Sequence, residues 1–517
     1  MIGPFGRARS IDAGSWALGP LLAGIVALAA SLPALSLPFL ADDWANLLDV
    51  SAGQFTRTAF GYFRPLYLAT LWLDLHVWGR SPFAFHATNV ALIALAAALV
   101  VLVAKRYGAT PGVATLAGVA FALHPFHVET AAWIAARGDA LYCVSLLLAF
   151  LAYDGWTNRS SPLPFLSLLW FEVALLCKEA AVAYPLLLLV LRFGRPDGPL
   201  SRREIWRGLT PHALVALAHF FIVRKIALAG TGVFGPSDLG IRWVKRFVNF
   251  LTASVLPLHI ERIDGHPRTI GLAAAFVVAL LFLLARRRLG DDWKLLATFG
   301  LGFVIASGPS LLSFQERYLF FPSVFSSVVV ACLLAHVQPR PRALLLVALI
   351  SVWGASLWEH WSCWTQAGGV SRTLVAGLTN ASLDPEVTEI VVANMPYRVH
   401  GAPVAGALPT AVEFSGGRKV AIRAATSVDL PTCAVDGLDD DGAPSGSSPD
   451  DIRIRLASGL FARVFLPLRQ EPGVRMETDF GAVTFEAPGV VHVRLDRRAD
   501  GSRRAFVWRH GALEKLF

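Results

Sequence analysis

The chain has 517 residues, 55% hydrophobic and 16% charged, with 46 Lys+Arg against 37 Asp+Glu for a formal charge of +9. Soluble proteins carry roughly 25% charge, whereas here apolar runs recur from residue 14 to about residue 358. A soluble enzyme, a disordered chain and a secreted disulfide scaffold are excluded, and the pattern predicts a polytopic membrane protein.

A helix that crosses a bilayer needs about 20 mostly apolar residues. The first such run, Trp16 to Leu40, follows Arg7 and Arg9 and is too long for the core of a signal peptide. With those arginines in the cytosol, the loop that opens at Asp42 lies on the outer side. Further runs at 82–104, 109–126, 139–155, 162–177, 180–193, 210–229, 269–285, 294–313, 319–337 and 342–359 bring the expected spans to about eleven. The amino terminus is then cytoplasmic and the carboxyl-terminal part periplasmic or extracellular. Lys105-Arg106, Arg192 to Arg207, Arg286-Arg287-Arg288 and Arg340/Arg342 all fall on the cytosolic side of that register. Most of the positive excess therefore orients the protein and meets anionic lipid. Membrane lipids are expected partners and nucleic acid is not.

Two stretches read differently from spans. On a helix over 62–79, Arg64, Tyr67, Thr70 and Asp74 share one face among Leu, Trp and Phe, which suits a helix lying in the interface plane. Residues 243–258, flanked by Arg242, Lys245 and Arg246, suit a helix at the outer surface, with a further span as the alternative.

Beyond residue 360 the composition changes. Strand-like runs at Glu389–Ala393, Lys419–Ala424, Ile452–Leu456, Val474–Phe485 and Val490–Leu495 are separated by hydrophilic loops. The expected fold is an α-helical polytopic membrane domain over 1–360 followed by a β-rich soluble outer domain over 361–517. Within the latter, Val435 to Asp451 is too polar to pack and reads as a mobile loop. Its acids lack the spacing of an EF-hand. Of the five cysteines, Cys143, Cys177 and Cys332 sit in apolar spans, while Cys363 and Cys433 fall on the oxidising side and are expected to pair.

Charge at a membrane is costly and marks function by default. Here it gathers at the outer ends of spans. Asp42-Asp43 follows span one directly and could supply a general base with an orienting partner. HPFHVETAAWIAARGD, His124 to Asp139, puts Glu129, Trp133 and Arg137 along one helical face and holds His127 and Asp139 nearby. Lys178-Glu179 interrupts LLCKEAAVAYP, and Glu316-Arg317-Tyr318 forms the tip of FQERYLF. Arg64 and Arg317 have the fork that grips a phosphate, and Lys178 can neutralise one. No cofactor is required by these residue types. A divalent ion at Asp42/Asp43 or at His124/His127 is the one metal they suggest. An acid beside cations at the mouth of an apolar groove suits a substrate with a lipid tail, a phosphate and a sugar. A carboxylate would deprotonate an acceptor hydroxyl, which attacks the anomeric carbon with inversion while cations hold the leaving phosphate. A transporter or flippase of a lipid-linked or anionic substrate is the alternative. Transporters usually place polar groups near the midplane and carry internal repeats, and neither is found here.

Asp42-Asp43, FRPLYLATLWLDLHVWGRSPFAFHATNVALIAL (Phe63 to Leu95), ALHPFHVETAAWIAARGDAL (Ala122 to Leu141), CKEAAVAYPLLLL and FQERYLFFPS occur in this order. As a set they resemble the membrane half of the GT-C glycosyltransferases. The resemblance is nearest to the protein O-mannosyltransferases that carry transmembrane spans followed by tetratricopeptide repeats, and to their bacterial relatives, over roughly residues 14–360. It implies a GT-C fold, a polyprenyl-phosphate-linked sugar donor and an active site at the outer face of a cell inner (plasma) membrane. By that matching Asp42 or Asp43, with Asp42 favoured, carries the base. Arg64, Lys178 and Arg317 would hold the donor phosphate, and His127, Glu129, Arg137, Asp139, Glu179 and Glu316 would line the sugar and acceptor pocket. Where the repeats should begin this chain has the β-rich domain, so a glycan or a lipid stands beside protein as the acceptor.

Overall fold

The computed structural model describes residues 13–517 apart from 57, 59–60, 158–162, 195–200, 228–240, 313, 400, 405, 431–443, 449, 456–461, 464–474, 488–489 and 510. Arg7 and Arg9, expected to anchor the amino terminus, lie outside the described residues.

The membrane part is built from helices whose ends are set by proline, glycine and charge. They are α1 (Ala13–Ser31), α2 (Asp42–Ser51), α3 (Pro65–Trp78), α4 (Pro82–Arg106), α5 (Pro111–Ala122), α6 (His127–Ala132), α7 (Arg137–Thr157), α8 (Phe165–Cys177) and α9 (Tyr184–Phe193). The chain continues through α10 (Thr210–Ala227), α11 (Ile241–Ala253), α12 (Ile260–Gly265), α13 (Pro267–Ala285), α14 (Trp293–Ser307), α15 (Pro322–His336) and α16 (Pro339–Ser382). Among the described residues six helical stretches are long and apolar enough to cross a membrane: Ala17–Ser36, Pro82–Arg106, Ile134–Thr157, Pro267–Ala285, Gly290–Leu311 and Pro339–Ser382. Three shorter apolar helices, α5, α8 and α15, stand beside them. The eleven apolar runs of the sequence thus become six full-length stretches and several short helices. Proline opens α5 and α15, and Lys178 ends α8, before full length is reached. Many leucines and phenylalanines of these helices are exposed, among them Leu272, Phe276 and Leu344, as suits contact with lipid tails.

Helix α3 turns its polar face inward and exposes Trp72, Leu73, Val77 and Trp78. Tyr67 and Asp74 of its polar face are buried, because that face turns inward to meet Arg137. Helix α11 is amphipathic and only 13 residues long, and Arg246 near its middle donates to the Leu311 carbonyl at 2.9 Å.

Helix α16 runs 44 residues without a break from the membrane part toward the sheet domain. Cys363 on it is disulfide-bonded, while Cys433, its expected partner, lies outside the described residues. The strands are β1 (Glu389–Val399), β2 (Ala402–Pro403), β3 (Ala421–Leu430), β4 (Pro444–Ser448), β5 (Asp451–Arg455), β6 (Ala462–Arg463), β7 (Arg475–Thr478), β8 (Gly481–Ala487), β9 (Val490–Leu495), β10 (Arg503–Arg509) and β11 (Ala512–Lys515). One sheet has the order β11-β10-β1-β3-β6, with β2 paired on β1, and the other the order β4-β5-β9-β8-β7. In the first, β1 runs parallel to both β10 and β3. A parallel neighbour needs a crossover, and helix α17 (Leu408–Phe414) provides it between β1 and β3. Central parallel strands are buried on both faces, which is why EIVVANMP of β1 is buried without alternation. Strand β10 is not evident in the sequence, because RRAFVWR lacks a clear period of two. Part of the polar stretch 435–451 is ordered, since Pro444–Ser448 pairs with β5, and its residues 435–443 lie outside the described residues.

Candidate active site

The acidic pair sits where the chain leaves its first span. Ala41 stands at φ 42° and ψ −109°, a backbone conformation that costs a non-glycine residue about 1–3 kcal/mol. The turn is locked from two directions. Asp43 N–H donates to the Leu40 carbonyl at 2.9 Å, and Leu40 N–H donates to Asp43 Oδ2 at 2.9 Å. Asp43 Oδ1 accepts from Ala135 N–H at 2.7 Å. Burial pushes the Asp43 carboxyl up to about 8, against the two backbone donors that favour its charged form. Both of its oxygens therefore serve the backbone. Asp42 is half-buried, and burial raises its carboxyl above the usual range while Arg317 and Arg398 oppose the rise. Its backbone carbonyl accepts from Asn46 Nδ2 at 3.0 Å. Among the described residues no hydrogen bond to the Asp42 carboxylate is found, whereas both Asp43 oxygens are engaged.

The sheet domain presses on the same turn. A Cβ on Gly406 would meet the Ala41 backbone at 3.2 Å, so a side chain there would force the two segments apart by a few tenths of an ångström. Phe414 of α17 makes edge contacts with Phe39 at 6.0 Å and Trp44 at 5.9 Å, and Arg80 donates to its carbonyl at 2.6 Å. Ala41→Gly is expected to remove the backbone strain and raise unfolding stability by about 1 kcal/mol. Thermal unfolding in detergent reads it, and a fall in melting temperature would refute strain at this residue.

Arg317, whose charge reaches Asp42, is one of three neighbouring cations that act on one another, each held by a carboxylate. Arg64 forms a two-pronged pair with Glu179, at 3.0 Å through Nε and 2.6 Å through Nη2. Burial opposes it, yet the Arg64 guanidinium holds the Glu179 carboxyl down at about 2. Lys178 pairs with Asp139, and burial pushes its ammonium down to about 8 against the pull of that carboxylate. Arg317 pairs with Glu129, whose Oε2 also accepts the Arg317 backbone N–H at 2.7 Å. Aromatic rings unite the set. Lys178 Nζ lies 4.5 Å from the Tyr318 ring, and Arg317 lies 5.0 Å from Tyr318 and 4.5 Å from Trp133. The structure thus brings together Asp42, Arg64, Glu129, Asp139, Lys178, Glu179 and Arg317.

Three other candidates point elsewhere. Arg137 is wholly buried. It pairs with Asp74 at 2.7 Å and donates to Asn89 at 2.7 Å and to the Phe85 carbonyl at 2.9 Å. It is a pin between α3, α4 and α7, and no donor is aimed at the cationic cluster. The regular helical face through Glu129, Trp133 and Arg137 does not form, because the backbone at Trp133 is extended. His127 is buried between Phe121 and Phe320, with Nε2 2.8 Å from Ser323 Oγ. Its ring stacks on His124 at 5.2 Å. Glu316 turns away from Arg317 and faces His360 and His259, which the sequence alone did not single out. Lone histidines in apolar stretches carry no signal until the fold brings them together.

The fold and this cluster define a polytopic membrane protein with charged machinery at a helix-loop mouth and a soluble sheet domain attached. No family model matches the chain. It is 34% identical over 142 residues to protein O-mannosyl-transferase TMTC1 of Homo sapiens, covering 25% of this chain and 16% of that protein. It is 37% identical over 128 residues to protein O-mannosyl-transferase Tmtc1 of Drosophila melanogaster, covering 25% of this chain and 15% of that protein. The match therefore spans a small part of these relatives' length. Among solved structures, ArnT from Cupriavidus metallidurans bound to undecaprenyl phosphate aligns at TM-score 0.41 and 13% identity, covering 78% of this chain and 75% of that one. The archaeal oligosaccharyltransferase AglB from Archaeoglobus fulgidus, in complex with an inhibitory peptide and a dolichol-phosphate, aligns at TM-score 0.41 and 12% identity, covering 72% and 62%. The curated relatives bear out the resemblance to the GT-C glycosyltransferases that the motifs carry.

Proposed function

We propose that the protein is an inverting glycosyltransferase that moves a sugar from a polyprenyl-phosphate donor to an acceptor hydroxyl at the outer face of the membrane. The observation that carries this reading is Asp42, a half-buried carboxylate of raised proton affinity within reach of Arg317, which itself neighbours Lys178 and Arg64. Asp42 takes the proton of the acceptor hydroxyl, and the oxygen bonds to the anomeric carbon from the face opposite the phosphate. The bond from that carbon to the phosphate oxygen breaks, and its electron pair leaves on the polyprenyl phosphate. The leaving group gains negative charge as it departs, and fixed cations stabilise charge that develops in the transition state. The chain's similarity to protein O-mannosyl-transferases supports the same chemistry.

The test offers membranes containing the protein a set of polyprenyl-phosphate sugars and identifies products by mass spectrometry. Transfer from one of them is expected, and no transfer from any would overturn the reading. Arg317→Ala is expected to raise the KM for donor at least 10-fold while the KM for acceptor changes little. The reverse pattern would move Arg317 to the acceptor side.

A further inference from the structure

We propose that His259, Glu316 and His360 form a binding site for a divalent transition-metal ion such as zinc, apart from the three ion pairs beside Asp42. His259 precedes α12, Glu316 lies in the turn after α14, and His360 lies on α16, so the three come from segments far apart in sequence. All three are buried. His360 Nε2 is 3.1 Å from Glu316 Oε1, and His259 Nε2 is 3.9 Å from the same oxygen. One ligand atom from each lies within 4.8 Å of the others. A tetrahedral zinc ion with bonds of about 2.0–2.2 Å needs ligand atoms roughly 3.3–3.6 Å apart, so small side-chain adjustments suffice. Two imidazoles and a carboxylate are a donor set that zinc takes readily.

The hydrogen bond behind His360 strengthens the case. Its Nδ1 lies 2.6 Å from the Ser356 carbonyl one turn back on α16. A carbonyl accepts only, so Nδ1 carries the proton, and the neutral ring turns a bare Nε2 lone pair toward a carboxylate oxygen. Two lone pairs at that distance repel unless a cation stands between them. A proton on His360 would answer that one contact. A metal ion would answer the contacts of both imidazoles with the one carboxylate. The backbone-bonded far nitrogen is also the usual support behind a metal-ligating histidine. Three protein ligands leave one tetrahedral position, which a water can fill. An ion here would tie the segments bearing His259 and Glu316 to α16, and through Glu316 it would fix the backbone at Arg317.

This inference stands apart from the glycosyl-transfer reading and is tested without measuring transfer. The full chain, purified in detergent and stripped with a chelator, is titrated with Co²⁺ and followed by visible absorption, and with Zn²⁺ followed by elemental analysis. About one ion per chain and the d–d bands of four-coordinate cobalt are expected. Glu316→Gln and His360→Gln, each checked for a single size-exclusion peak, are expected to lose at least 10-fold in affinity for either ion, with the cobalt bands gone. His127→Gln is expected to leave the titration unchanged. No uptake by the wild-type chain overturns the site, as does unchanged binding in folded Glu316→Gln and His360→Gln protein. Loss of binding in His127→Gln with retention in the other two also overturns it.

Discussion

Asp42→Asn is expected to fold normally and to transfer sugar about 10²–10⁴ times more slowly, the span that loss of a positioned general base produces. Asparagine matches aspartate in shape, and no hydrogen bond of the Leu40–Asp43 turn uses the Asp42 carboxylate. The pH dependence should carry the same signature. A base works deprotonated, and burial raises the Asp42 carboxyl above the ordinary aspartate value. The acid limb of the rate profile should therefore lie above about pH 4, with activity falling as pH drops through it. In the residual activity of Asp42→Asn that limb should vanish. Asp43→Asn is the informative contrast. An amide has one accepting oxygen, so its NH2 would face either Leu40 N–H or Ala135 N–H, and the turn should loosen. A lower melting temperature is expected for this variant. If instead Asp43→Asn kept wild-type stability and lost all transfer while Asp42→Asn remained active, the roles of the two acids would be exchanged.

The second large effect lies away from the chemistry. Arg137→Ala would leave Asp74 buried without its partner. Removing one member of a buried ion pair typically costs about 3–5 kcal/mol, enough to strip many membrane proteins of their fold in detergent. The expected result is a sharp drop in melting temperature and in yield. The double variant Arg137→Met/Asp74→Leu, which leaves no orphaned charge, should recover more than half of the loss. If the single variant kept its stability while transfer collapsed, Arg137 would be a substrate-binding group and not a structural pin.

These contrasts show what sequence can and cannot carry. Asp42, Arg64, Lys178 and Arg317 were all legible as candidates, because charge at the edge of an apolar run is rare and needs a reason. Their partnerships were not. Arg64 meets Glu179 across 115 positions and Arg317 meets Glu129 across 188, and no periodicity spans such distances. Arg137 misled for a local reason. A helical period drawn through Trp133 assumed a continuous helix, and an extended residue at Trp133 turns Arg137 into the interior. Asp74 in an otherwise apolar helix suits an interface polar group, and only the fold supplies the cation that lets it be buried. In the outer domain the alternating strands of the antiparallel sheet were the easier to find. Strand β10, central to the mixed sheet, showed no alternation because a parallel strand buried on two faces has none.

Helix α16 has a mechanical consequence. Forty-four residues in one helix make a rod of about 66 Å at 1.5 Å per residue, so the sheet domain is joined to the membrane part by a gauge and not by a tether. Its azimuth is written in the count of residues. One residue inserted between the lipid-facing stretch and the sheet-facing end would swing everything beyond by about 100°, pulling Phe414 and Gly406 off the Ala41 turn. Four inserted residues would nearly restore the angle while lifting the domain by about 6 Å. Length along this helix can drift in evolution only in steps close to whole turns, unless the contact with the Asp42 turn is abandoned.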